Sequence, residues 1–163
     1  MPKLSDALQN CVVALDVEAE DKPDLLMHLA DRAAAILPWV DADGLYAALL
    51  AREREASTGI GNGVAIPHAS MEGLQAPFCL MARLARPMDY DAIDHEPVRL
   101  LFLLASPAST TTDGKGMVST RHVKMLARLA RLCMRPGFID ELLAAATSED
   151  VLAIVRQEDG RHV

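Results

Sequence analysis

The chain has 163 residues, 51% of them apolar and 4% aromatic, and a formal charge of −7. That length fits one domain, expected to span 1–163, with enough apolar sequence to bury a core without disulfides. The negative balance argues against a phosphate-tracking surface, so no nucleic acid is expected as partner; so few aromatic rings leave little for base or sugar stacking. No run is apolar and long enough to span a bilayer, and the first residues lack the basic-then-apolar order of a secretory leader. Cys11, Cys79 and Cys133 form no CxxC pair and sit among apolar neighbours. They read as buried thiols in a reducing compartment, so the expected location is cytoplasmic, with no direct membrane insertion.

In chain order, Leu4 to Leu8 is a short helical turn, and the apolar run Cys11 to Leu15 predicts a strand. Asp21 as cap and Pro23 in the first turn start a helix. Leu25, Leu26, Leu29, Ala33 and Ile36 carry its apolar face, and Pro38 ends it. Asp41 or Asp43 opens a second helix that reaches the charged run Arg52-Glu53-Arg54-Glu55. A glycine-rich loop, Gly59-Ile60-Gly61-Asn62-Gly63, leads through Val64-Ala65-Ile66 into Pro67-His68.

Phe78 to Leu84 and Val98 to Leu104 predict strands, the second apolar enough to be covered on both faces. A polar loop is expected over 107–121. A helix then starts at His122, with Val123, Leu126, Leu129, Ala130 and Cys133 on one face, and Pro136-Gly137 breaks it. Two short helices follow, at 139–146 and, after a Ser148 cap, at 149–155; the tail 157–163 is expected to fray. Strands alternating with helices make this an α/β fold.

The informative stretch runs from Arg52 to His68. An imidazole titrates near neutrality, so it serves as a nucleophile without a helper base. A phosphoryl group on its nitrogen needs donors around its oxygens. Glycine-rich backbone supplies N–H groups, and a guanidinium supplies paired donors. Gly59, Gly61, Gly63, Arg52 and the hydroxyls of Ser57 and Thr58 are at hand. Pro67 stiffens the approach to His68. His122, at a helix N-terminus, is a second candidate donor.

Plainer readings stand beside these. Arg-Glu-Arg-Glu is also what a solvated helix face looks like, and Ser57 and Thr58 serve equally well as loop or cap hydrogen-bonders. His28, His95 and His162 read as surface residues. The glycines match no dinucleotide fingerprint, because Val64 stands where the third glycine belongs, and no Walker loop. A zinc site made of His68, His122 and a carboxylate has no supporting ligand spacing. No metal and no cofactor is expected.

The run Arg52-Glu53-Arg54-Glu55-Ala56-Ser57-Thr58-Gly59-Ile60-Gly61-Asn62-Gly63-Val64-Ala65-Ile66-Pro67-His68 resembles the signature of the fructose/mannitol-class enzyme IIA of the bacterial sugar phosphotransferase system. Asp94-His95-Glu96-Pro97-Val98 and His122-Val123-Lys124-Met125-Leu126-Ala127-Arg128-Leu129 extend the likeness to most of the chain. The resemblance implies a mixed sheet with helices on both faces. It implies a phosphoryl group accepted on His68 from a histidine-phosphocarrier protein, with Arg52 and His122 assisting. It is nearest to the nitrogen-regulatory branch, whose members bind regulatory target proteins according to phosphorylation state. A stand-alone sugar enzyme IIA serving a IIB cysteine is the alternative. The family commonly has glycine after Asp94 where this chain has His95, a change expected to alter a turn only.

Overall fold

The computed structural model describes residues 10–110, 116–117 and 120–161. The helical turn expected at 4–8 lies outside them. Eight strands and five helices follow one another among the described residues. First come β1 (Cys11–Val17), α1 (Lys22–Ile36), α2 (Ala42–Glu55), β2 (Gly59–Gly61), β3 (Val64–Ala65) and β4 (His68–Met71). Then come β5 (Phe78–Met88), β6 (Val98–Pro107), β7 (Ser109–Thr110), β8 (Gly116–Met117), α3 (Thr120–Cys133), α4 (Phe138–Ala144) and α5 (Ser148–Gly160). One mixed sheet has the order β1-β5-β6-β3-β2, with β4 also paired to β6.

Period-two alternation divides the core between the two faces of that sheet. Phe78 and Leu80 of β5 and Leu101 and Leu103 of β6 point to the side of α1 and α2, where they meet Leu25, Leu29, Leu45 and Leu49. Cys79, Met81, Leu100, Phe102 and Leu104 point the other way, onto Met125 and Leu129 of α3, Leu142 of α4 and Val155 of α5. A strand covered on both faces has no polar alternation to show, which is why Val98 to Leu104 reads as a continuous apolar run. This is the α/β fold expected, a mixed sheet with helices on both faces.

Asp21 caps α1 as expected, its carboxylate accepting from the Asp24 N–H at 2.9 Å. Elsewhere the boundaries need correction. The glycine-rich loop is a hairpin, β2 pairing antiparallel with β3. The polar stretch 107–121 contains the paired strands β7 and β8, and α3 begins at Thr120 rather than at His122. Thr147 caps α5, its hydroxyl accepting from Asp150 N–H at 3.1 Å, and Ser148 is already helical.

The tail also orders later than expected. Helix α5 continues to Gly160 because Arg128 of α3, itself buried, bonds the Asp159 carboxylate and its backbone carbonyl. Glu158 pairs with Arg135 at 2.8 Å and Arg161 at 3.1 Å. Apolar periodicity could not register this anchor, which is ionic.

Candidate functional site

Helix α2 ends where β4 begins, and the sheet register brings the two together. His68 opens β4 and lies level with Leu104 of β6, held there by the Leu104 N–H donating to the Pro67 carbonyl at 3.0 Å. From the last turn of α2, Arg52 donates through Nε to His68 Nε2 at 3.1 Å and through Nη1 to the Ala56 carbonyl at 2.8 Å.

That geometry fixes the imidazole tautomer. A guanidinium has donors only, so Nε2 carries the lone pair. The proton is on Nδ1, which donates to the Ile66 carbonyl at 2.9 Å. Burial lowers the pKa of His68, the Ile66 carbonyl offsets part of that, and the Arg52 charge lowers it again. The ring is therefore neutral at pH 7, with a nucleophilic nitrogen beside a fixed cation.

His122 joins them from the first turn of α3. Its ring centroid is 5.7 Å from that of His68, with the planes tilted by 52°. It is buried, and its Nδ1 lies 2.7 Å from the Ser106 hydroxyl. Burial, and then the neighbouring His68, depress its pKa to about 4. The N-terminal end of α3 thus sits beside His68, where the helix dipole favours negative charge.

Ser57, Thr58 and Gly59 are tied to the protein behind them. The Ser57 hydroxyl donates to the Tyr90 carbonyl at 3.3 Å and accepts from the Gly59 N–H at 3.1 Å. Thr58 directs its hydroxyl to Glu53 and to the Tyr90 hydroxyl, and its N–H to Glu53 at 3.2 Å. Both hydroxyls thus make loop bonds, while Ser57 and Thr58 also line the cleft that holds Arg52 and His68. A Cβ on Gly59 would stand 2.7 Å from Cβ and 2.8 Å from Cα of Ala92, so the residue is small for packing.

Gly61 and Gly63 sit farther off. Both have positive φ and flank Asn62 in the hairpin turn. Val64 is level with Leu100 on β6 and His68 with Leu104. Four residues of strand, roughly 13 Å, separate them. Gly63 accepts from the Arg99 and Leu100 N–H groups, and the Asn62 N–H donates to Asp94. These two glycines shape the turn and form no cradle at His68.

Glu53 is the residue that sequence reasoning missed. The sequence assigns it no role, yet it is buried. Its carboxylate accepts from Lys22 Nζ at 3.0 Å, the Tyr90 hydroxyl at 2.9 Å, and both the N–H and hydroxyl of Thr58. The Lys22 ammonium also lies 4.2 Å from the centre of the Tyr90 ring. This knot ties α1, α2, the 57–59 segment and the β5–β6 connection together immediately behind Arg52. An Arg-Glu-Arg-Glu run whose second member faces inward gives no sequence signal of its own, because its partners are far away in the chain.

The position after Asp94 keeps the turn that glycine would make. His95 has φ 62°, and its N–H donates to the Ala92 carbonyl at 2.9 Å. Around Arg52 and His68 opens a cleft of about 390 Å³ whose other walls include Ile60, Ile66, Val123 and Leu126. Val123, expected on one face with Leu129 and Cys133, is 55% exposed at its edge. No helix among the described residues is long and apolar enough to cross a membrane.

A nitrogen regulatory protein from Pseudomonas aeruginosa is 36% identical over 141 residues, 86% of either chain. The fructose-specific EIIA component of a phosphotransferase system in Haloferax volcanii is 35% identical over 147 residues, 88% of this chain and 90% of that one. The crystal structure of nitrogen regulatory protein IIA-Ntr from Neisseria meningitidis superposes with a TM-score of 0.75 at 29% identity, covering 88% of this chain and 92% of that one. With residues 7–158 matching its family model, the chain belongs to the EIIA 2 family of the phosphoenolpyruvate-dependent sugar phosphotransferase system.

Proposed function

We propose that this protein is a cytoplasmic phosphocarrier that accepts a phosphoryl group on Nε2 of His68 from a phosphohistidine of a histidine-phosphocarrier protein. The observation that carries this reading is the chain of bonds from Arg52 through His68 to Ile66, which leaves Nε2 as the nucleophile. In the transfer, the donor's N–P bond breaks as the Nε2–P bond forms in line with it. The Arg52 guanidinium shifts from the ring nitrogen to the phosphoryl oxygens and offsets their charge. His68 keeps its Nδ1 proton, so positive charge develops on the ring, and the Ile66 carbonyl stabilises it. His122 and the N-terminal end of α3 supply further donors on the opposite side. The apolar rim of the cleft gives the donor protein a surface that excludes water from a labile bond.

As its downstream role, we assign regulation by phosphorylation-dependent binding to target proteins, in keeping with the nitrogen regulatory relatives. The fructose-specific relative, nearly as similar, supports a second reading in which the phosphoryl group passes to a IIB cysteine. Incubating the phosphorylated protein with purified IIB domains separates the two. Retention on His68, together with pull-downs whose partners change with phosphorylation, is expected. Rapid loss of the label to a IIB cysteine would transfer the assignment to sugar uptake.

A further inference from the structure

The α3 face of the sheet holds a second reactive group, made of thiols. Cys11 of β1 and Cys79 of β5 are partners in a parallel ladder. Partners in a ladder share a face, and adjacent strands lie about 4.8 Å apart. That spacing falls inside the roughly 4.4–6.8 Å span of Cα atoms in disulfides. Both residues are free thiols, Cys79 wholly buried and Cys11 half-buried.

We propose that Cys11 and Cys79 form a modification site, a dithiol that hydrogen peroxide closes into a reversible cross-strand disulfide. Cys11 is the attacking thiol because solvent reaches it while Cys79 is wholly buried, and because the neighbouring Cys79 thiol and the charge of Arg156 favour its thiolate. Cys79 is the resolving partner. It is level with Cys11 on the adjoining strand, and that neighbouring thiol together with burial holds it protonated until its attack, when the proton leaves with the departing oxygen. Cys133 packs in the same cluster, but from α3, outside the ladder that pairs Cys11 with Cys79.

The chemistry balances. The Cys11 sulfur attacks one peroxide oxygen, the O–O bond breaks, and a sulfenic acid forms with loss of one water. The Cys79 sulfur then displaces that oxygen, which leaves as a second water carrying the Cys79 proton. Two thiols and one peroxide become one disulfide and two waters. The pair also shares a row of the sheet with His68. Cys79 is level with Leu104, and Leu104 with His68. Two strand spacings, roughly 10 Å, separate Cys79 from the imidazole-bearing residue. A disulfide would tie β1 to β5 in the row that carries the phosphoryl site.

Intact mass of the native full chain after hydrogen peroxide, and again after dithiothreitol, tests this. The expected result is loss of two hydrogens, reversed by dithiothreitol, with a cross-linked peptide pair containing Cys11 and Cys79. Cys133→Ser is expected to behave as wild type. Cys11→Ser should lose no hydrogens, and Cys79→Ala should hold one oxygen on Cys11 that dimedone captures. An unreactive Cys11, oxygen added to Cys11 of wild type without a disulfide, or a disulfide involving Cys133 or a second chain would each overturn the proposal. The wild-type measurement decides the matter even if Cys79→Ala fails to fold.

Discussion

Arg52 Nε and His68 Nε2 lie 3.1 Å apart, and the arginine's other contact is the Ala56 carbonyl of its own helix end. Arg52 is therefore bound to the reactive nitrogen and little else. Arg52→Ala is expected to slow phosphorylation of His68 by about 10²–10³-fold, the usual cost of removing a donor that stabilises transition-state charge. Arg52→Lys should recover only part of that loss, because an ammonium lacks the guanidinium fork. Rates of phosphate incorporation measured beside thermal melts check this, and the melts are expected to change little.

His68 and His122 both titrate below the ordinary histidine value, His122 at about 4. In the folded protein His122 stays neutral, and His68 takes up its proton later, as pH falls through the range where unfolded histidine, near pH 6.5, picks up its proton. The unfolded chain then binds more protons. These histidines' contribution to stability is full above about pH 6.5 and is lost as pH falls toward the folded value. Wild type is expected to lose more melting temperature between about pH 7 and pH 5 than His122→Gln does, since glutamine removes the larger of the two shifts. Parallel pH series of thermal melts measure the difference.

Glu53 has partners on three other segments, Thr58 and Tyr90 buried and Lys22 partly so, and its removal strands them. Glu53→Ala should destabilise the fold by about 3–5 kcal/mol, the cost of leaving a buried charge network without its acceptor. Tyr90→Phe removes a single bond to that carboxylate and is expected to cost about 1 kcal/mol. The double variant should fall short of the sum, because the two changes break a shared contact. Denaturant titrations of the four proteins supply the cycle.

Two glycines give a contrasting pair. Gly59→Ala drives a methyl against backbone and Cβ of Ala92 and is expected to cost about 1–3 kcal/mol. Gly160→Ala ends α5 with a methyl that meets nothing within 4 Å and should gain about 0.5 kcal/mol through the unfolded chain. Equal melts for the two variants would contradict the packing described at Gly59.

What was legible in the sequence depended on local pattern. The cap at Asp21, the two-faced apolar strand at Val98 to Leu104 and the Arg52–His68 pairing all rest on residue spacing or on a long signature. What was not legible shares a physical cause, in that side-chain partners distant in the chain leave no periodic trace. The bonds of Thr58 to Glu53 and Tyr90 are of this kind. Gly61 and Gly63 were grouped with His68 because they are close in sequence, whereas strand register carries them away from it. Val123 shares the helical spacing of Leu126 and Leu129, yet the inward stripe of α3 runs through His122, Met125 and Leu129, leaving Val123 at the edge of the cleft.

The central claim is that Nε2 of His68 carries the phosphoryl group, and intact mass with ring-nitrogen NMR tests it most directly. The protein, labelled with ¹⁵N at histidine, is incubated with phosphoenolpyruvate, enzyme I and the histidine-phosphocarrier protein, beside His68→Ala. One acid-labile phosphate on wild type, none on the variant, and a ³¹P coupling to Nε2 of His68 is the predicted result. A phosphate on Nδ1, a phosphate that persists in His68→Ala, or no phosphate from a donor mixture active on another enzyme IIA would contradict it.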